Sequence, residues 1–392
     1  MKKLFALFVT VFVLALPSVP YARDCPQGMV FTKAAWLPIA DCIVPENQKR
    51  QLDISQGISN TGTTLGLYNL PNGDVWPNSN QLTYASNLLV WLDAMDPNGN
   101  SIQPVPPGTS KTPIITSWFD KSGNGNNVVL SYSSSSATRI RTVGAVNNIF
   151  GYATGSQASW APTYIQSNVN NAITGTSGLN SLPGIQFSSS NLQYFLTNNI
   201  VSLSTTNKVT IFIVSMSTSP SLTLTPALLS SPASPTQKLT VAAPYNSTGA
   251  LSFDAGAGVA NGGLGNTLPT GASSVTLSHI WTFVADGSVG GMSVYDNCPN
   301  PAATTTSGTP IALLSSSGTL LTGAAATGKT ISLPSNILYA GANNTSGSTL
   351  NYANSMIGEI IIYNAALVST TTATNDYMKV CHYLKHKWHI YP

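Results

Sequence analysis

Between Lys208 and Ser215 the chain reads Val209-Thr-Ile-Phe-Ile-Val214, apolar at odd and even positions alike. A strand with one wet face alternates apolar and polar residues, so a run without alternation suits a strand covered on both sides. The sequence must then supply a layer for each face. Short runs rich in Val, Ile, Phe, Trp and Tyr, set between Gly, Asn, Ser and Pro, recur at Leu88–Leu92, Val128–Tyr132, Ile280–Ala285, Met292–Tyr295 and Ile357–Tyr363. These are the marks of strands joined by turns. With 25 Pro, 32 Gly and abundant Ser, Thr and Asn, long helices are disfavoured. One exception stands at the end, from about Thr371 to Lys387. There Tyr377, Val380, Leu384 and Trp388 form an apolar stripe at helical spacing. The expectation is an all-β, antiparallel sandwich over residues 84–392, with Trp91, Trp118 and Trp281 in its core and a C-terminal helix sealing it. The polar segments 144–182, 217–275 and 299–350 read as loops or edge hairpins.

Ahead of this domain, Lys2 and Lys3 precede an apolar run from Leu4 to Leu16, broken by Pro17, Ser18 and Pro20 before the small residue Ala22. That is the form of a secretory signal peptide over residues 1–22. The run is shorter than the roughly 20 apolar residues that cross a bilayer. The expectation is a secreted, periplasmic or cell-surface protein without a transmembrane segment in the mature chain. Residues 23–83 read as an N-terminal segment and connector, Gly/Asn/Thr-rich from Gly57 to Asn80. The even set Cys25, Cys42, Cys298 and Cys381 suggests two disulfides in an exported chain. Three pairings are open. We favour Cys25–Cys42, which closes a local loop, and Cys298–Cys381, which ties a late loop to the helix. Zinc finds no C-x-x-C spacing. Only 7% of the residues are charged, with 16 Lys+Arg against 13 Asp+Glu, which excludes the clustered basic surface of a nucleic-acid binder.

Several stretches then fall in a familiar order: Leu89-Val-Trp-Leu-Asp93-Ala, Ser117-Trp-Phe-Asp120-Lys-Ser-Gly-Asn124-Gly-Asn126, Leu182-Pro-Gly-Ile-Gln-Phe187, His279-Ile-Trp281-Thr-Phe-Val-Ala-Asp286-Gly287, Val294-Tyr-Asp-Asn297, Gly358-Glu359-Ile-Ile-Ile-Tyr363-Asn364 and Tyr383-Leu-Lys-His-Lys387-Trp388. Together they resemble the concanavalin A-like, laminin-G-like jelly rolls of exported bacterial and viral proteins, over about residues 85–390. The resemblance implies an antiparallel jelly-roll β-sandwich, with ligands met on a concave sheet or at loop rims. Function varies widely within such folds, so the site must decide it.

Glycoside hydrolysis uses two carboxyl groups flanking the scissile bond. Glu46 and Glu359 are the only glutamates, and no strand carries an E-x-D-x-x-E pattern. Glu359 is placed as a candidate ligand contact on the concave face, with a structural hydrogen-bonding role as the alternative. Asp120, Ser122, Asn124 and Asn126 offer oxygens at alternating positions of a loop with Gly125 sixth, like the front of a Ca²⁺ loop. Position twelve holds Ser131 rather than Glu, and Asp93, Asp96 and Asn98 are possible further donors. The alternative, which we favour, is a turn capped by side-chain-to-backbone hydrogen bonds. His382 and His386, four apart with His389 nearby, have metal-ligand spacing. No carboxylate is evident beside them, and Lys379, Lys385 and Lys387 surround them, so they read as a solvated basic face. No G-x-S-x-G elbow or phosphate-cradling loop occurs, and His279 reads as a strand residue. Trp160, Tyr164 and Tyr152, with Tyr194 behind them, are the candidate aromatic platform for a sugar ring. The functional expectation is a non-catalytic protein binding a glycan or surface glycoconjugate. A structural or adhesive subunit contacting a surface protein is the alternative, and a glycoside hydrolase ranks third.

Overall fold

The computed structural model describes residues 30–32, 41–43, 74–97, 113–134, 137–139, 150–152, 161–165, 179–180, 182–218, 228–232, 237, 239–243, 251–255, 263–265, 277–288, 292–298, 313–314, 320–321, 331–343, 351–367 and 376–390. The expected signal peptide and Cys25 lie outside them. The chain divides into two compact units, Met1–Gln56 and Gly57–Pro392. In the first, Val30–Thr32 pairs antiparallel with Asp41–Ile43, with Phe31 opposite Cys42.

The second unit is an all-β sandwich of two antiparallel sheets. Among the described residues the first sheet has nine strands, of which six position the site: Leu88–Asp93 (β1), Gly184–Phe187 (β2), Val209–Ser217 (β3), His279–Ala285 (β4), Met292–Asp296 (β5) and Ser355–Tyr363 (β6); Thr163–Ile165, Pro113–Ile115 and Phe150–Tyr152 continue it beyond β2. Their order runs β5-β4-β3-β6. On the far side of β6, β1 pairs with its Glu359–Tyr363 half and β2 with Ser355–Ile357. The second sheet runs from Ser117–Trp118 and Val128–Ser134 through Tyr194–Thr197, Tyr339–Ala340, Leu229–Ser230, Thr240–Ala242, Leu251–Asp254 and Gly263–Gly265 to Leu313–Leu314 and Leu320–Leu321. The segments 217–275 and 299–350 thus contribute short strands to it, and not only at an edge as expected: Tyr339–Ala340 lies inside the sheet, paired on one side with Tyr194–Thr197 and on the other with Leu229–Ser230.

Strand β3 is covered on both faces, and its alternation divides two cores. Ile211 and Ile213 point into the sandwich with Ile360, Ile362, Val90, Leu92 and Phe283, facing Phe195, Val241 and Phe253 of the second sheet. Phe212 and Val214 point the other way, with Ile361, Tyr363, Trp91 and Ile280. That outer face would meet water without a third layer, and the helix Asp376–Trp388 (α1) supplies it. Tyr377, Val380, Leu384 and Trp388, the stripe read from the sequence, are fully buried there. Cys298 and Cys381 form a disulfide with Cα atoms 5.6 Å apart, anchoring α1 to the segment after β5. Closing a loop of this sequence separation (83 residues) stabilises by on the order of 4 kcal/mol in the chain-entropy account. Residues 74–83, read as connector, belong to this packing instead. Trp76 lies 5.9 Å from Trp91 and 5.3 Å from Tyr383, ring centroid to centroid.

One irregularity positions the chemistry. The register of β3 against β6 passes from Val214↔Glu359 to Ser215↔Ile357, so Gly358 is an extra residue in β6. Strict alternation from the inward Ile357 would send residue 359 into the sandwich. The bulge shifts the phase by one and sends Glu359 outward, beneath α1. Glycine is required at the bulge because a Cβ there would sit 2.5 Å from the indole of Trp388.

Candidate functional site

Glu359, expected on a ligand-binding face, is instead fully buried between β6 and α1. Its Oε1 accepts hydrogen bonds from Trp91 Nε1 and Tyr383 Oη, both at 2.7 Å. Its Oε2 accepts from Lys387 Nζ at 2.9 Å and Trp388 Nε1 at 2.6 Å. Lys387 also reaches Asp93 Oδ1 at 2.8 Å. Asp93 Oδ2 accepts from Lys121 Nζ at 2.9 Å, and Lys121 lies 3.2 Å from Asp96. The result is a buried chain of alternating charge, Asp96–Lys121–Asp93–Lys387–Glu359. Its one excess negative charge is spread over donors from two indoles and a phenol. Lys121 also sits 4.8 Å above the Trp91 ring. Burial pushes the Asp93 carboxyl upward, but Lys121 and then Lys387 overcome it and hold the group at about 2. Burial likewise pushes Lys121 down, and Asp93 and Asp96 overcome this, leaving it above its usual value. The network commits Asp93, Asp96 and Glu359 to structure. Lys387, read as part of a solvated face, is 1% exposed and belongs to it.

The Asp120 loop forms the capped turn. Asp120 Oδ1 accepts from the backbone N–H groups of Trp91 and Ser122, at 2.8 and 2.9 Å. Its Oδ2 accepts from Ser122 Oγ and from the N–H of Asn126, at 2.7 and 2.9 Å. Asn124 and Asn126 direct their amide NH₂ groups to the carbonyls of Leu88 and Leu89. The four side chains therefore stitch the loop to β1. Asp93 and Asp96, named as extra calcium donors, are committed to the lysines.

The expected aromatic platform is also revised. Tyr164 is buried in the sandwich core, its hydroxyl donating to the Ala94 carbonyl at 3.2 Å. Burial, with Asp93 and Asp96 nearby, raises its phenol far above the usual value. Trp160 lies outside the described residues, as does the side chain of Tyr152, whose backbone forms the strand Phe150–Tyr152. Tyr194 does belong to an aromatic group, but on the outer face of the second sheet. Along Tyr194–Thr197, Phe195 points inward and meets Phe187 edge-on at 5.7 Å. Tyr194 and Leu196 therefore point outward. Tyr339, opposite Leu196, stacks on Tyr194 at 5.8 Å and 28°, and Tyr352 tilts against Tyr194 at the same separation. Tyr194 is buried, while Tyr339, Tyr352 and Ile337 are half-buried and expose part of each side chain. Burial and then Tyr194 raise the Tyr352 phenol above its usual value, so that ring is uncharged at neutral pH. The sequence signal for it was the two apolar runs Ile337-Leu-Tyr339 and Tyr194-Phe-Leu196, too short to outweigh their polar surroundings.

A third constellation has the residue types of a hydrolase. His279 Nδ1 lies 2.8 Å from Asp296 Oδ1, its ring stacks on Trp281 at 4.6 Å, and Ser215 is its cross-strand partner. Among the described residues neither Ser215 Oγ nor His279 Nε2 has a hydrogen-bond partner. Both residues are 1% exposed, so no solvent or substrate reaches the pair in this conformation. A nucleophile and its base need hydrogen-bond contact and access.

No family model and no curated protein matches the chain. Among solved structures, domain 4 of an extracellular arabinanase from Geobacillus stearothermophilus, in complex with arabinotriose, is similar over 72% of this chain and 94% of its own, at 12% identity and a TM-score of 0.38. A Trypanosoma rangeli sialidase is similar over 77% of this chain and 33% of its own, at 10% identity and TM-score 0.36. The binding domain of botulinum neurotoxin DC, in complex with rat synaptotagmin II, gives 78% and 52%, at 10% and 0.36. The chain thus spans about half or less of the sialidase and neurotoxin chains. TM-scores below 0.5 establish no shared family. No helix among the described residues is long and apolar enough to cross a membrane.

Proposed function

We propose that the protein is an exported, non-catalytic recognition module that binds carbohydrate through the tyrosine patch on the outer face of its second sheet. The observation that carries this reading is the pair of half-buried rings, Tyr339 and Tyr352, held by the buried Tyr194. Sugar rings present apolar C–H faces, and flat aromatic rings fixed by packing match them at little entropic cost. The non-catalytic part is supported by the fate of the carboxylates: Glu359, Asp93 and Asp96 are sealed in ion pairs, whereas glycoside hydrolysis needs two carboxyl groups open to the substrate. The concanavalin A-like resemblance of the sequence agrees with a sugar-binding sandwich.

The test is a glycan array probed with the purified protein, with and without Ca²⁺, followed by titration of any hit against Tyr339→Ala and Tyr352→Ala. A hit weakened about tenfold or more by either substitution, and indifferent to Ca²⁺, supports the reading. A blank array, or a hit that both variants retain in full, sinks it.

A further inference from the structure

The outer face of α1 carries His382 and His386, one helical turn apart, with ring centroids 6.0 Å from each other. Two objections to a metal there arise from sequence alone: no carboxylate is evident nearby, and three lysines crowd the pair. The structure removes both. Asp74 arrives from 312 positions away in the chain and places Oδ2 2.7 Å from His386 Nδ1. It is delivered by Trp76, whose indole is buried between Trp91 and Tyr383. Of the lysines, Lys387 turns inward onto Glu359 and Asp93. Lys379 donates to the carbonyl of Gln81 and lies 3.8 Å from Asp376. Lys385 is half-buried.

We infer that Asp74, His382 and His386 form a binding site for a divalent transition-metal ion, with zinc the ion to test. One ligand atom from each residue lies within 4.8 Å of the others. Bonds of about 2.0–2.2 Å in a tetrahedral shell place ligand atoms roughly 3.3 Å apart. The exposed His382 ring supplies the closing movement by rotating toward the pair. Between His386 and Asp74 the ion takes the place of the proton now shared at 2.7 Å. Two imidazoles and one carboxylate select zinc, nickel or copper over Ca²⁺ and Mg²⁺, which take oxygen shells. Three protein ligands leave the fourth position to water or an external group. The ion would join the segment that opens the described part of this unit to the helix that closes it, so it stabilises the folded chain by mass action.

The experiment uses the mature protein without a histidine tag. Zn²⁺ is titrated calorimetrically and the thermal midpoint is read with and without Zn²⁺, for the parent and for His382→Ala, Asp74→Asn and His389→Ala. One ion per chain is expected, together with a raised midpoint. His382→Ala, an exposed position that leaves folding intact, should weaken binding by at least about tenfold, the lower end of what losing even an outer-sphere partner costs. It should also reduce the midpoint shift at a fixed Zn²⁺ concentration. Asp74→Asn should weaken binding likewise, and His389→Ala should leave it unchanged. Absence of binding at 100-fold excess of Zn²⁺, or equal affinity in the parent, His382→Ala and Asp74→Asn proteins, overturns the site.

Discussion

The outer faces of the two sheets use the same materials to opposite ends. On the first sheet Trp91, Trp388 and Tyr383 are buried, and each directs its polar tip at Glu359. On the second, Tyr194 is buried but Tyr339 and Tyr352 keep part of their rings in solvent. Among the described residues α1 covers the first face, and no helix covers the second. An aromatic whose hydrogen-bonding atom is satisfied inside the protein and whose ring is fully enclosed has nothing left for a ligand. An aromatic braced from beneath and open above does. Burial, not residue type, separates the structural tryptophans from the tyrosines proposed for recognition.

The sharpest way to break that distinction is to cut the network under α1. Lys387→Met should destabilise the fold by about 3–5 kcal/mol, because Asp93 and Glu359 are left buried with their shared ammonium gone. Glu359→Gln should cost a comparable amount, since Lys387 keeps only one carboxylate. Urea unfolding monitored by tryptophan fluorescence reads both. A cost below about 1 kcal/mol for either would mean that the network is no more committed to the fold than the patch on the other sheet.

An effect of intermediate size comes from acid. Asp93 has its folded value depressed from 3.8 to about 2, so its contribution is complete above the unfolded value and is lost as pH falls through the folded one. The difference corresponds to about 2 kcal/mol, lost between roughly pH 4 and pH 2. Lys121 has the opposite sign. Its folded value is raised, so its contribution is complete below 10.5 and disappears only as pH climbs above that. Urea midpoints at pH 7, 4 and 2 should fall mainly over the last interval, and Asp93→Asn should flatten that fall. A parent protein with the same midpoint at pH 4 and pH 2 would contradict the assignment.

What the sequence made legible follows from where the information sits. Unbroken apolarity at 209–214 implied two covered faces, and the helical stripe Tyr377, Val380, Leu384, Trp388 implied the cover; both hold. The Cys298–Cys381 pairing also holds. The capped turn at Asp120 could be read because the bonds that close it, from Ser122 and Asn126 to Asp120, are local, whereas its ties to β1 could not. The charge network could not be read. It depends on a one-residue bulge at Gly358 that reverses the direction of Glu359, and it joins Asp93, Lys121 and Lys387, which lie on three distant segments. Lys387 looked solvated because helical spacing alone does not say how wide the covered stripe is. Tyr164 looked available because it lies in a polar stretch, but its two-residue alternation with Pro162 and Gln166 never had the length to declare a buried strand. Asp74 was hidden inside an apparent connector.

The smallest expected effect on stability bears most on function. Tyr339 is a cross-strand partner of Leu196, and such pairs contribute about 0.2–1 kcal/mol. Tyr339→Ala and Tyr352→Ala should therefore each lower stability by no more than about 1 kcal/mol. Tyr194→Ala, which removes the buried base of the patch, should cost about 3 kcal/mol or more by leaving a cavity. If the patch is a recognition surface, the two surface substitutions lose binding at almost unchanged stability, and Tyr339→Phe, which keeps the stacking ring, retains most of it. If the tyrosines serve only to brace the sheet, binding and stability decline together across all three positions. The ratio of lost affinity to lost stability, taken residue by residue, therefore separates a platform from a prop.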